Sequence, residues 1–178
     1  MFDEKEGRMI RIAHVDSPLG ALTLASADGV TLSGLWIDGQ KYDRALLKEE
    51  TVRECETDSL AIFRETARWL ELYFSGQEPN FYPRLSLSGS AFRKEIAREM
   101  LSVPYGRTAS YKQLAESLAA RQGKSYVSPH ATGGAVAHNP LLLLIPCHRI
   151  IGADGRLTGY AGGLERKKYL LALEAGQL

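Results

Sequence analysis

Residues 128–149 read SPHATGGAVAHNPLLLLIPCHR, and this stretch decides how the second half of the chain folds. Ser128 is a natural helix cap, and Pro129 suits the first helical position, where a missing N–H costs nothing. The helix predicted from there, 129–138, carries Gly133, Gly134 and Ala135. Each glycine costs a helix interior about 1 kcal/mol. Small residues make sense at that cost if something approaches the backbone closely; packing in a tight helical core is the other reading. Asn139-Pro140 ends the helix, and Leu141 to Ile145 reads as a fully buried strand. Pro146, Cys147, His148 and Arg149 follow. A cysteine beside histidine and arginine lies in surroundings that favour thiolate, the nucleophilic form. Adjacent side chains of a strand point to opposite faces, so Cys147 and His148 need a turn at Pro146, or a bridging water, to act together.

Working outward, Phe92, Ile96 and Met100 recur at four-residue steps on one helical face, and Val103-Pro104-Tyr105-Gly106 breaks that helix. Ser110 can cap another helix carrying Leu114, Ala115 and Leu118. A polar loop from Arg121 to Val127 joins it to the helix at Pro129. Two short helices with a connecting loop, the second small-faced, resemble a helix-turn-helix; plain helix packing is the alternative. Downstream, glycines at 152, 155, 159, 162 and 163 make a loop suited to fold closely around something, with Tyr160 set in it. It matches no phosphate-loop template, which argues against a nucleotide-triphosphate site. The last helix begins near Leu164 and places Glu174 after Leu170, Leu171 and Leu173. That carboxylate is either an exposed helix end or a buried partner able to hold the imidazole's tautomer.

The first half reads differently. Ile10 and Ile12, Leu22 and Leu24, then Val30, Leu32, Leu35 and Ile37 give strand signals, with Asp28-Gly29 and Asp38-Gly39 as tight turns. A helix is predicted from Ser59 to Phe74, capped by Asp58 and stopped at Gly76, with Ile62, Phe63, Trp69, Leu70 and Tyr73 on one apolar face. Pro79, Pro83 and the stretch from Ser86 to Ser90 form a linker. The expectation is therefore α+β with two domains: a small antiparallel sheet with a helix at 1–88, and a mainly helical domain with a helix-turn-helix at 89–178. Charge divides along the same line. Residues 1–90 hold ten Lys/Arg against fifteen Asp/Glu, a net of −5, and residues 91–178 hold twelve against six, a net of +6. A basic second half suggests a polyanion as partner.

Composition narrows the class further. The 178 residues are 44% hydrophobic and 24% charged, an ordinary globular balance. No apolar run approaches the roughly 20 residues of a spanning helix, and the polar segment from Met1 to Arg8 is not a secretory signal. The two cysteines, Cys55 and Cys147, form neither a disulfide framework nor a zinc module, and Cys55 and His14 are lone residues. No metal and no cofactor are expected, and the location expected is cytoplasmic.

The motifs together resemble the O6-alkylguanine-DNA alkyltransferases, the methylated-DNA–protein-cysteine methyltransferases. The carriers are Ile145-Pro146-Cys147-His148-Arg149, preceded by Val103-Pro104-Tyr105-Gly106, Ser110-Tyr111 with Gln113-Leu114, Gly133-Gly134-Ala135 and Asn139-Pro140. They are followed by Gly159-Tyr160-Ala161-Gly162-Gly163-Leu164 and the Leu170-Leu171 to Glu174 ending. The likeness runs from about Phe92 to Glu174.

It implies single-turnover DNA repair. Cys147 takes the alkyl group from O6 of a flipped guanine in duplex DNA and keeps it as a thioether. O4-alkylthymine stays open as a second substrate. His148 acts as base through a water, Glu174 orients it, Tyr111 helps protonate the departing guanine, and Asn139 ties the recognition helix to the active-site turn. Tyr160, Ala161, Gly162 and Gly163 line the guanine pocket. His130, Thr132, Gly133, Gly134, Ala135 and Arg149 contact DNA, and the protein acts as a monomer. One departure is visible: His130 stands where the family has an arginine that fills the gap left by the flipped base. Arg121 and Lys124 are the candidates to supply that charge instead. Two readings compete with transfer: a lesion-binding sensor with impaired chemistry, and a cysteine hydrolase.

Overall fold

The computed structural model describes residues 9–178 except 45, 46 and 49; the polar segment 1–8 lies outside the described residues. The chain divides into two compact units, Met1–Ser86 and Leu87–Leu178. In the first, strands β1 (Met9–Val15), β2 (Leu22–Ser26), β3 (Gly34–Ile37) and β4 (Thr51–Glu54) form a sheet in the order β3-β2-β1-β4. The first three pair antiparallel, as short turns require. The sheet is nevertheless mixed, because β4 runs parallel to β1, with Met9 opposite Thr51 and Ile12 opposite Glu54. A longer connection after Ile37 gives the chain room to enter from the same end.

Ile10, Ile12, Ala25, Trp36 and Leu47 form one core cluster of the sheet. Gly34 is obligatory there, since a Cβ on it would lie 1.9 Å from the Trp36 ring. Helix α1 (Ala61–Phe74) buries Ile62, Phe63, Trp69, Leu70 and Tyr73, and Trp69 stacks on Tyr73 with ring centres 5.1 Å apart. It starts later than its cap signal predicts, because Asp58 belongs to a separate 3-10 turn, Thr57–Ser59, and Leu60 is the cap. Cys55 gives its S–H to the Ile12 carbonyl at 3.4 Å. No cluster of three or more metal-ligating side chains occurs among the described residues.

The second unit contains α2 (Ala91–Leu101), β5 (Ala109–Ser110), α3 (Tyr111–Arg121), α4 (Pro129–Ala137), β6 (Ile150–Ile151) and α5 (Leu164–Glu174). Side-chain caps begin three of the helices: Ser90 accepts from Arg93, Ser128 accepts from Ala131, and Ser110 forms a reciprocal capping box with Gln113. Helices α2, α3 and α4 pack on one another. Buried Glu99 on α2 accepts from Ser117 at 2.6 Å and from Arg121 Nε at 2.7 Å, and Arg121 also pairs with Glu95. Arg121 is thereby committed to holding α2 against α3.

The apolar run 141–145 departs from expectation. All five residues are buried, but they wind through a turn with Leu143 at φ 69°, and Ile145 N–H returns to the Leu141 carbonyl. An apolar run shows burial and cannot by itself distinguish a strand from a tight turn. Two of the backbone groups that a ladder would pair are met by Asn139. Its Oδ1 accepts from Leu141 N–H at 3.0 Å, and its amide nitrogen donates to the Ile145 carbonyl at 2.8 Å.

Candidate active site

Pro146 does turn the chain, at φ −79° and ψ 60°, and Cys147–Arg149 forms a 3-10 turn immediately before β6. Cys147 is 3% exposed, and the Asn139 amide donates to its Sγ at 3.2 Å. Asn139 therefore connects the end of α4, the buried turn and the sulfur through one side chain. Burial pushes the thiol up to about 11, against the opposing pull of the Asn139 amide and the Lys167 charge. The thiol is therefore the favoured form at neutral pH, and the resting cysteine needs a base to become a nucleophile.

The next residue supplies an imidazole. His148 is fully buried, and its Nε2 lies 2.7 Å from Oε1 of Glu174, so Nε2–H donates and Nδ1 is the accepting nitrogen. Burial lowers the histidine's pKa and keeps the ring neutral, despite the pull of Glu174 in the other direction. Glu174 is 7% exposed, which settles the choice between helix end and buried partner. Arg149 completes the cluster with Nε 2.9 Å from Oε2 and Nη2 3.1 Å from Oε1, a two-pronged grip, while its Nη1 donates to Val103 O at 2.7 Å. Gly106 N–H donates to Oε2 at 3.0 Å. Burial alone would raise the Glu174 carboxyl, but the bonds from His148 and Arg149 outweigh it and hold the group well below the usual carboxylate range.

Cys147 also borders a cavity of about 90 Å³, lined in addition by Tyr111, Gly133, Val136, Ala137, Gly159, Tyr160 and Ala161. Its size suits an alkyl group and one edge of a base. The Tyr111 hydroxyl donates to the Thr158 carbonyl at 3.2 Å, and the Tyr160 ring meets His148 edge-on at 6.4 Å. Gly162 is buried and its carbonyl accepts from Arg166, whereas Gly163, with φ 90°, is the exposed cap of α5. Lys167, which the sequence reading passed over, is fully buried on α5. Its spacing of three and four from Leu164, Leu170 and Leu171 puts it on the apolar face of the helix, but a charged residue there reads by itself as a solvated one.

Helix α4 has two faces. His130, Ala131, Gly134, Ala137 and His138 are exposed, and a Cβ on Gly134 would meet nothing within 4 Å. Thr132, Ala135 and Val136 face inward, and Thr132 spends its hydroxyl on the Ser128 carbonyl at 3.0 Å. Thr132, Ala135 and Arg149, expected as DNA contacts, are buried in this structure. Helical periodicity turns the first two inward, and the Glu174 carboxylate captures the third. Gly133 lies half-buried over Tyr111. From Ser117 to Ala153 the chain carries no Asp or Glu, so nothing acidic in that segment opposes an anion at the outer face.

Comparisons with known proteins show which family the chain resembles. Residues 91–176 match the family model for the DNA-binding domain of 6-O-methylguanine DNA methyltransferase. The chain is 42% identical over 166 residues to a methylated-DNA–protein-cysteine methyltransferase of Mycolicibacterium paratuberculosis, covering 93% of each protein. It is 37% identical over 164 residues to the protein of that name from Methanosarcina barkeri, covering 92% of this chain and 96% of that one. A crystal structure of Mycobacterium tuberculosis OGT in complex with DNA superposes with a TM-score of 0.78 at 34% identity, covering 94% of both chains.

Proposed function

The chain belongs to the methylated-DNA–protein-cysteine methyltransferase family, and from that premise we propose that it repairs DNA by moving the alkyl group of O6-alkylguanine onto Cys147. The observation that carries the assignment of roles is the arrangement around one sulfur. The thiol faces a cavity bounded by two tyrosines, and behind it stands a buried, neutral histidine oriented by a carboxylate. His148 Nδ1 accepts the thiol proton through a water, leaving thiolate and imidazolium, and Glu174, kept ionised by Arg149, stabilises that imidazolium. Sulfur then attacks the alkyl carbon in line. The S–C bond forms as the C–O6 bond breaks, and the Tyr111 hydroxyl gives its proton to the departing purine. The thioether has no leaving group for water to displace, so each molecule acts once.

O6 lies inside the stacked duplex, so the base must be flipped at a cost of a few kcal/mol, less for a mispaired lesion. The exposed face of α4 is the surface that fits the minor groove, where Gly134 lets backbone approach closely. With Arg121 held by Glu95 and Glu99, Lys124 is the exposed cation left in the α3–α4 loop to meet a phosphate. His130 is exposed and takes the place of the flipped base. Its ring lacks the fork of donors an arginine carries, so it supports flipping less well than arginine would. Equal transfer rates for His130→Arg and wild type from pH 6 to pH 8 would remove this role. The reduced thiol the reaction needs fits a cytoplasmic location.

Intact mass after incubation with excess duplex containing O6-methylguanine, followed by peptide mapping, tests the whole proposal. One added CH₂ confined to the Cys147 peptide is expected. An unchanged mass with tight lesion binding would convert the reading to that of a sensor.

A further inference from the structure

Lys167 has no place in the chemistry just described, yet it is among the largest fully buried side chains of the molecule. Its Nζ donates to the carbonyls of Ile150 at 2.5 Å, Thr158 at 2.8 Å and Gly159 at 3.4 Å. All three partners are neutral, and burial pulls the ammonium down to about 8, with the Cys147 sulfur acting in the opposite direction. An ammonium is a costly filler for an interior position, and an apolar side chain would pack there without desolvating a charge.

The three carbonyls explain the position. Ile150 begins β6 directly after the nucleophile turn, and Thr158 and Gly159 form the limb of the glycine-rich loop that leads to Tyr160. The Thr158 carbonyl is a junction, accepting from both Lys167 Nζ and the Tyr111 hydroxyl. The Tyr111 bond is long, at 3.2 Å against about 2.7–2.8 Å for a strong O–H···O bond. An oxygen already serving an ammonium holds the phenol loosely, so its proton can be redirected to a base without first breaking a strong bond.

We propose that Lys167 is a positioning residue for alkyl transfer: its ammonium pins the Thr158–Gly159 limb to β6 and, through the carbonyl shared with Tyr111, aims the phenolic proton at the departing base. The proposal rests on Tyr111 being the proton donor.

A double-mutant cycle tests it, with single-turnover transfer from an O6-methylguanine duplex as the readout. Lys167→Met is expected to slow transfer by roughly tenfold or more in the wild-type background and by less than about threefold in Tyr111→Phe, because groups acting through one another are not additive. The Kd for the same duplex should change by less than about twofold, separating the chemical step from binding. Lys167→Gln serves the cycle equally if the methionine variant melts early. Equal slowing in both backgrounds, or a wild-type rate for the variant, would overturn the coupling and leave the role of Tyr111 intact. A Tyr111→Phe protein reacting at the wild-type rate would remove Tyr111 from the chemistry, and this proposal with it.

Discussion

Gly106 and Gly134 lie in the same unit and answer to different partners. Gly106 has φ 69°, its N–H holds the Glu174 carboxylate, and a Cβ on it would come within 3.1 Å of the Glu174 backbone oxygen. Its own chain requires it to be glycine. Gly134 sits in regular helix with open space where a side chain would be. Nothing in the chain requires it, and the helix is weaker for it. The nucleophile turn is closed by internal bonds and the outer face of α4 is left bare, so a substitution that costs stability at one is expected to cost only binding at the other.

The largest expected effect breaks the inner cluster. Arg149→Ala leaves Glu174 buried without its guanidinium and should lower unfolding free energy by about 3–5 kcal/mol, as loss of one partner of a buried pair does. DNA affinity of the folded fraction should stay the same. A loss of affinity at unchanged stability would return Arg149 to the DNA surface. Gly106→Ala comes next, at about 1–2 kcal/mol for forcing an L-residue into left-handed backbone, plus the push against Glu174. Chemical denaturation should show the loss, and transfer should slow as the carboxylate shifts.

Acid titration sharpens the same contrast. The folded state resists protonating His148, whose pKa is lowered from 6.5, so the unfolded state takes up that proton first and stability falls as pH drops below 6.5. Glu174 adds a second loss below 4.5, because its folded pKa is depressed and the unfolded carboxylate protonates earlier. Thermal melts from pH 8 to pH 4 should therefore decline in that order, and His148→Asn should remove the first step. The smallest effect carries the opposite sign. Gly134→Ala should stabilise the protein by up to about 1 kcal/mol through helix propensity while weakening duplex binding. A variant both more stable and equally tight on DNA would mean that nothing approaches that face.

These contrasts mark where the sequence could be read. The cap at Ser128, the break at Asn139 and the apolar face of α1 are local signals, and each appears in the structure where its chemistry puts it. The run 141–145 was legible as buried but not as a turn, because the deciding bonds come from the Asn139 side chain. Parallel β4 escaped for a similar reason: its strand direction depends on a pairing with Met9–Ile12 some forty residues away. Within the site, the motif pointed to Cys147, His148 and Tyr111. The partners of Arg149 and Lys167 were not legible, since a cation's partner, carboxylate or carbonyl, is chosen by the fold and has no periodicity of its own.

The depth of Cys147 has a further consequence. A protein that works once is consumed like a reagent, and its usefulness is a stock counted in molecules. Every thiol lost to peroxide or to a stray electrophile is one lesion left unrepaired. A sulfur 3% exposed, whose thiol form burial favours, is a poor target for either, because both react with accessible thiolate. The half-buried Cys55 has no such duty and less shelter. Slow activation of the nucleophile, which would be a defect in a catalyst that turns over, is here what gives the stored protein its shelf life.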